Sequence, residues 1–154
     1  MGETQSQPFQ LSFNPSLKVP KLRNIVPGAF TLVLAKHTKH LSLVDTLSVG
    51  VDCIQRNFEP MRKQIEAWKE TRLEDEAAKL VIYRAFVERQ LDVPKHLARV
   101  VHNHYFDPQR EEFAPRTMWS LSNALTSAFK ELEAIPQFPA TAKLGAFLEG
   151  VRAA

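Results

Sequence analysis

Cysteine is almost missing from this chain: Cys53 stands alone among 154 residues, so no internal disulfide can form and a cysteine-rich zinc site is excluded. A lone thiol suits a reducing compartment, and a cytoplasmic protein is expected. Glycine is scarce as well. Its five residues, at 2, 28, 50, 145 and 150, are too scattered to build a phosphate-cradling loop or a Gly-x-Ser-x-Gly nucleophile turn. The longest apolar run, residues 29–35, is far below the roughly 18 residues a membrane span needs, so no membrane association is expected. The polar start over residues 1–7 lacks the basic-then-apolar layout of a signal peptide. What remains, 44% hydrophobic and 24% charged, is the balance of an ordinary globular chain with enough length for a real core.

Positive charge is unevenly placed. Residues 1–40 carry Lys18, Lys21, Arg23, Lys36 and Lys39 against Glu3 alone, a net of +4, whereas the other 114 residues net −1. The basic excess therefore lies entirely in the N-terminal quarter. Such a segment can meet phosphates or an acidic protein surface.

Along the chain, residues 1–8 read as a flexible tail and residues 9–150 as one helical domain with a basic N-terminal segment over 9–40. Phe9, Leu11 and Phe13 alternate with polar residues, the period of a half-buried strand, and residues 30–35 form a short apolar run that reads as a strand or the start of a helix. A strand needs a partner for its backbone groups, which favours a small hairpin between the two. Leu47, Val51, Ile54, Phe58, Met61, Ile65 and Trp68 then step by alternating fours and threes, one apolar stripe along a helix interrupted at Pro60. Either the helix kinks near Pro60 or a second helix begins with Pro60 in its first turn; the unbroken stripe favours the kink, and both turn the same apolar face inward.

Thr71 and Glu74 have capping-box spacing and predict a helix to about Gln90, with Ala77, Leu80, Val81, Ala85, Tyr83 and Val87 as its core residues. Asp92, Val93 and Pro94 read as the start of a short helix ending near Tyr105, followed by a polar loop over residues 107–112. Pro115 introduces a helix whose stripe is Met118, Leu121, Leu125, Ala128 and Leu132, closed by Ile135 and Pro136. Thr141 reads as the cap of a last helix carrying Leu144, Phe147 and Leu148, stopped by Gly150. The predicted fold is mainly α, a compact bundle of about five helices with a small N-terminal β-hairpin.

Candidate reaction centres are few. His102 and His104 are two apart, which on a helix turns their rings about 200° from each other and prevents a shared ion. His37 and His40 share a helical spacing but have no carboxylate or cysteine close in sequence. Cys53 lies beside the apolar stripe, the setting of a structural thiol. The acidic run Glu74, Asp75, Glu76 suits a helix N-terminus. No catalytic residue, metal site or cofactor is expected. A different pattern stands out near the C-terminal third. Arg116, Trp119 and Asn123 fall on one helical face, a strip able to stack on and hydrogen-bond a nucleobase or to grip a peptide. The alternative is that Trp119 belongs to the core and Asn123 fixes helix packing.

With these residues in view, the chain resembles the phage/plasmid-like proteins grouped as domain of unknown function 932. The likeness covers about residues 43–148 and is strongest from Arg116 through Thr117, Trp119, Asn123 and Thr126. Members of that family are about twice as long and carry an upstream Cys-x-Asn-Gly turn that is absent here. The resemblance implies a mobile-element origin and no mechanism. Together with the charge layout it leads to an expected function: non-enzymatic binding of nucleic acid or a host nucleoprotein complex. Lys18, Lys21, Arg23, Lys36 and Lys39 would contact phosphates, and Arg116, Trp119 and Asn123 would grip more specifically. The alternative is a protein-binding inhibitor of a host defence system, of the anti-CRISPR or anti-restriction type. A homo-oligomer built on the long stripe is compatible with either.

Overall fold

The computed structural model describes residues 10–13, 16–19, 24–27, 33–36, 43–132 and 134–154, with side chains from 44 onward except at 46, 53, 57 and 133–139. Among the described residues the fold is mainly α. Its body is five helices: α1 (Leu43–Glu70), α2 (Asp75–Phe86), α3 (Leu97–Phe106), α4 (Met118–Phe129) and α5 (Ala134–Ala153). Four short strands precede them: β1 (Gln10–Phe13), β2 (Ser16–Val19), β3 (Asn24–Pro27) and β4 (Val33–Lys36). β1 pairs antiparallel with β4, Leu11 opposite Ala35, and this ladder encloses a second one between β2 and β3, Leu17 opposite Val26. β4 lies against α1, and β3 against α4 and α5. The tail expected over residues 1–8 lies outside the described residues.

α4 is the centre of the body, in contact with α1, α3 and α5. It is buried nearly all round, and that exposes a problem in its sequence: Ser120, Ser122, Asn123 and Thr126 lie inside with Met118, Leu121, Leu125 and Phe129. Polar groups without water need partners. The helix supplies its own. Ser122 Oγ and Asn123 Nδ2 both donate to the Trp119 carbonyl (2.7 and 3.0 Å), and Thr126 Oγ1 donates to the Ser122 carbonyl (2.8 Å). Such back-bonding hides the hydroxyls along the helix wall, so small polar residues can pack as if they were alanine. Thr117 caps the N-terminus, its Oγ1 accepting from the Ser120 amide at 3.2 Å.

The link between α1 and α2 runs beside the entry to α4. The Leu73 amide donates to the Arg116 carbonyl, the Met118 amide donates to the Thr71 carbonyl, and Arg72 faces Thr117 in an antiparallel bridge. Two chain segments about 45 residues apart are thereby held in register by backbone bonds alone.

Several predicted details differ. α1 passes through Pro60 as one helix, yet only the C-terminal half of its stripe is inside. Trp68 is 1% exposed, with Met61 and Ile65 also buried, whereas Leu47, Val51 and Phe58 are 44%, 51% and 49% exposed. The core lies at the far end of this helix, so the period alone could not tell which turns would be covered. On α2 the buried face is Ala78, Val81, Ile82, Ala85 and Phe86, and the predicted core residues Ala77, Leu80, Tyr83 and Val87 point outward. This helix is apolar on two faces, and contact with α3 selects one of them.

The capping box at Thr71 and Glu74 does not form. Thr71 Oγ1 instead donates to the Ala67 carbonyl at the end of α1, and Glu74 makes no side-chain cap bond. α2 ends before Gln90, at Phe86, and the chain turns through Arg89 and Asp92 in left-handed conformation (φ 57° and 52°). α3 begins at Leu97, later than predicted, after a turn in which the Leu97 amide donates to the Pro94 carbonyl. Finally, Ile135 and Pro136 do not close α4. They lie in the first turn of α5, where a proline lacks no needed donor, and α5 continues past both Thr141 and Gly150.

Candidate functional site

Arg116 sits just before α4 and reaches across to α3. Its Nη1 donates to the Tyr105 carbonyl at 2.8 Å and its Nη2 to the Phe106 carbonyl at 3.3 Å. These are among the last carbonyls of α3, which have no partner within that helix. The guanidinium also lies 5.1 Å from the Tyr105 ring centre and 5.0 Å from that of Phe106, a cation–π arrangement. Asp75, at the start of α2, is 3.9 Å away. The side chain therefore ties α2, α3 and α4 together, with its fork filled by main-chain oxygens. Tyr105 beneath it is fully buried, its hydroxyl donating to the Leu73 carbonyl at 3.3 Å, and burial pushes the phenol above its ordinary range.

The other two members of the predicted strip separate in depth. Trp119 is half-buried against the core, and Asn123 is buried with its amide turned back onto the Trp119 carbonyl. Trp119 and Asn123 are one turn apart on α4, but Arg116 precedes the extended N-cap Thr117 and so lies off the helical face predicted for all three; Asn123 lies inside the body, leaving Trp119 and part of Arg116 at the surface.

Of the basic N-terminal residues, Lys18 falls on β2 opposite Ile25 and Lys36 on β4 opposite Gln10. They occupy the two nested ladders, Lys18 the inner and Lys36 the outer. Lys21, Arg23 and Lys39 lie outside the described residues.

The histidines do not converge. His102 is exposed and stacks on Phe106 (ring centres 4.5 Å apart), while His104 lies 5.0 Å from Phe113. Burial lowers the His104 pKa, against an opposing pull from Glu131. His37 and His40 lie outside the described residues, as does the side chain of Cys53. Among the described residues, no three histidines, cysteines or acids come together to hold a metal ion. No described helix is long and apolar enough to cross a membrane.

One polar constellation was missed by the sequence reading. The Trp68 indole, buried at the end of α1, donates to Glu149 Oε1 at 2.5 Å, and Arg152 donates to Glu149 Oε2 at 2.8 Å. Burial pushes the Glu149 carboxyl up, but hydrogen bonds from Arg152, Trp68 and Gln64 outweigh it and hold the pKa below the ordinary 4.5. Residues 68 and 149 are 81 apart, and a last helix predicted to stop at Gly150 left Arg152 outside it, so neither contact of Glu149 was read from the chain.

The class this geometry defines is a helical scaffold with a basic, stranded N-terminal segment. Comparison with protein-family models, curated proteins and solved structures finds no match for the chain.

Proposed function

We propose that this chain is a non-enzymatic accessory protein of a phage or plasmid that binds nucleic acid or a nucleoprotein complex through its basic N-terminal segment. The observation that carries the reading is the partition of charge. Residues 1–40 hold a net +4, while the remainder nets −1. Within the helical body, Arg62, Lys69, Lys79, Arg89 and Arg152 each pair with a carboxylate three residues away, and Arg116 is turned onto main-chain carbonyls. The excess positive field thus belongs to the ladder-forming segment that bears Lys18 and Lys36. Phosphate neutralisation by this segment releases counterions, so affinity falls as salt rises, with a log–log slope of about −0.9 for each duplex phosphate contacted. The mobile-element setting rests on the family resemblance around Arg116 and Thr126.

Fluorescence anisotropy with labelled duplex and single-stranded DNA across a salt series tests it. Binding that weakens steeply with salt is expected, and glutamine at Lys18, Lys21, Arg23, Lys36 and Lys39 should flatten the slope. No affinity for DNA or RNA at low salt would remove the reading.

A second reading, a protein-binding inhibitor of host defence, is favoured by a different observation: the apolar side chains left exposed along the first half of α1. A stoichiometric host protein captured from lysate after nuclease treatment would support it over the first.

A further inference from the structure

The helical body nets a negative charge, but α3 departs from it. Residues 93–106 carry Lys95, Arg99 and three histidines and no acid. The helical path begins before Leu97: the amides of Leu97, Ala98 and Arg99 donate to the carbonyls of Pro94, Lys95 and His96, and His96 has helical dihedrals. Burial then sorts the two sides. Leu97, Val101 and Tyr105 are fully buried where α3 packs on α4 and α2. Lys95, His96, Arg99, His102 and Asn103 are exposed, and with half-buried Phe106 they fall within an arc of about 120° on the opposite side. Among the described residues neither Lys95 nor Arg99 pairs with a carboxylate, unlike Arg62, Lys69, Lys79, Arg89 and Arg152. Of the acids flanking the helix, Asp92 accepts from Arg89 at 2.7 Å, and Asp107 is the C-cap beyond Phe106. The Phe106 ring is covered by the His102 ring (4.5 Å) and the Arg116 guanidinium (5.0 Å), so this face offers cations and polar donors rather than a bare aromatic platform.

We infer that the outward face of α3 is a second phosphate-binding surface, on which Lys95, Arg99 and Asn103 hold the sugar–phosphate backbone of a nucleic acid. This rests on the reading of the chain as a nucleic-acid binder and adds a contact in the helical body, apart from the N-terminal segment. Arg99 presents a planar fork that can take two phosphate oxygens, and Lys95 adds a point charge one turn away. Asn103 adds an uncharged amide donor one turn further along. The three span about 12 Å of helix axis, and a duplex carries a negative charge for roughly every 1.7 Å of its own axis, so several phosphates face them at once. Two other anionic surfaces fit less well. The core of a protein interface is built on apolar anchors, and the exposed large apolar side chains lie on α1, on α2 and at the end of α2, with none on α3. A helix lying on a membrane turns its apolar side to the lipid, and the apolar side of α3 is turned to α4 and α2.

Anisotropy of a labelled DNA duplex, titrated with the full chain across a salt series, tests the assignment. Lys95→Gln combined with Arg99→Gln should reduce the log–log salt slope by about 1.8, the share of two phosphate contacts. Both positions are exposed, so the helical circular dichroism should match wild type. Lys69→Gln combined with Lys79→Gln removes the same charge from cations paired with Glu66 and Glu76, and should leave the slope unchanged. Asn103→Glu, which sets a carboxylate on the face, should weaken binding. A wild-type slope in the Lys95 and Arg99 variant overturns the inference and leaves the N-terminal reading standing. Loss of slope in that variant, with none on replacing the five N-terminal cations, sustains the inference and removes that reading. An equal loss in the Lys69 and Lys79 variant overturns the α3 assignment, as does an unchanged DNA slope with lost binding to phosphatidylserine vesicles. A wild-type chain with no affinity for DNA or RNA at low salt removes both.

Discussion

Replacing Arg116 with alanine separates a role in holding the fold from a role in gripping a partner. The 2.8 Å bond to the Tyr105 carbonyl is a charge-assisted hydrogen bond of good length, worth about 1.5–3 kcal/mol in a protected setting. The 3.3 Å bond to Phe106 is longer and counts for less. The two aromatic rings add about 0.5–1 kcal/mol. Asp75, itself mostly exposed and 3.9 Å away, adds little. Because a third of the Arg116 side chain is exposed, water can replace part of what is lost, which brings the expected cost of Arg116→Ala to about 2–3 kcal/mol. Arg116→Lys, which keeps the charge but offers no fork to bridge two carbonyls, should lose about half as much.

Urea unfolding followed by far-ultraviolet circular dichroism reads both variants as a lower midpoint at unchanged slope. For a chain of this size the alanine variant should also melt roughly 4–12 °C lower. A loss under about 1 kcal/mol for Arg116→Ala would refute the clamp and return this residue to the surface strip.

Phe86→Ala, at a fully buried position, should cost about 3–5 kcal/mol by the same urea measurement, whereas Leu80→Ala, on the exposed face of the same helix, should stay within about 0.5 kcal/mol. Arg89 holds φ at 57°, a conformation that disfavours any side chain bearing a Cβ, so Arg89→Gly should raise stability by up to about 1 kcal/mol despite loss of the exposed pair with Asp92. Glu149 binds its proton less readily when folded than when unfolded. The unfolded chain therefore holds more protons between the lowered folded value and the ordinary 4.5, and stability from this group is complete above 4.5 and lost as pH falls through the folded value. Glu149→Gln should flatten the stability profile over that acid window, and an unchanged profile would show that the carboxylate is not held by Trp68 and Arg152.

The residue order of this chain determined its helices where a stripe had one reading. Met118, Leu121, Leu125 and Ala128 form a single apolar line, and α4 buries it, while Leu132, the last member of the predicted stripe, falls past the helix end and is half-buried. The step of threes and fours likewise placed α1, because a period of 3.5 fits only a helix. Tertiary structure decided what a one-dimensional pattern leaves degenerate. α2 is apolar on two faces, and its contact with α3 chose Ala78, Val81, Ile82 and Phe86 over Leu80, Tyr83 and Val87. α1 carries one seam along its whole length, and the position of the core decided that Trp68 is inside and Leu47 is not. Arg116 and Asn123 were legible as neighbours near one helix start, but not as a shared face, because Arg116 falls before the N-cap of α4. That their polar groups turn inward depended on where α3 ends and on how closely α4 is enclosed, since a donor goes to whichever acceptor has lost its water. Spacing along a chain fixes which side chains can share a surface; only the packing around that surface settles whether solvent, a second helix or a carbonyl meets it.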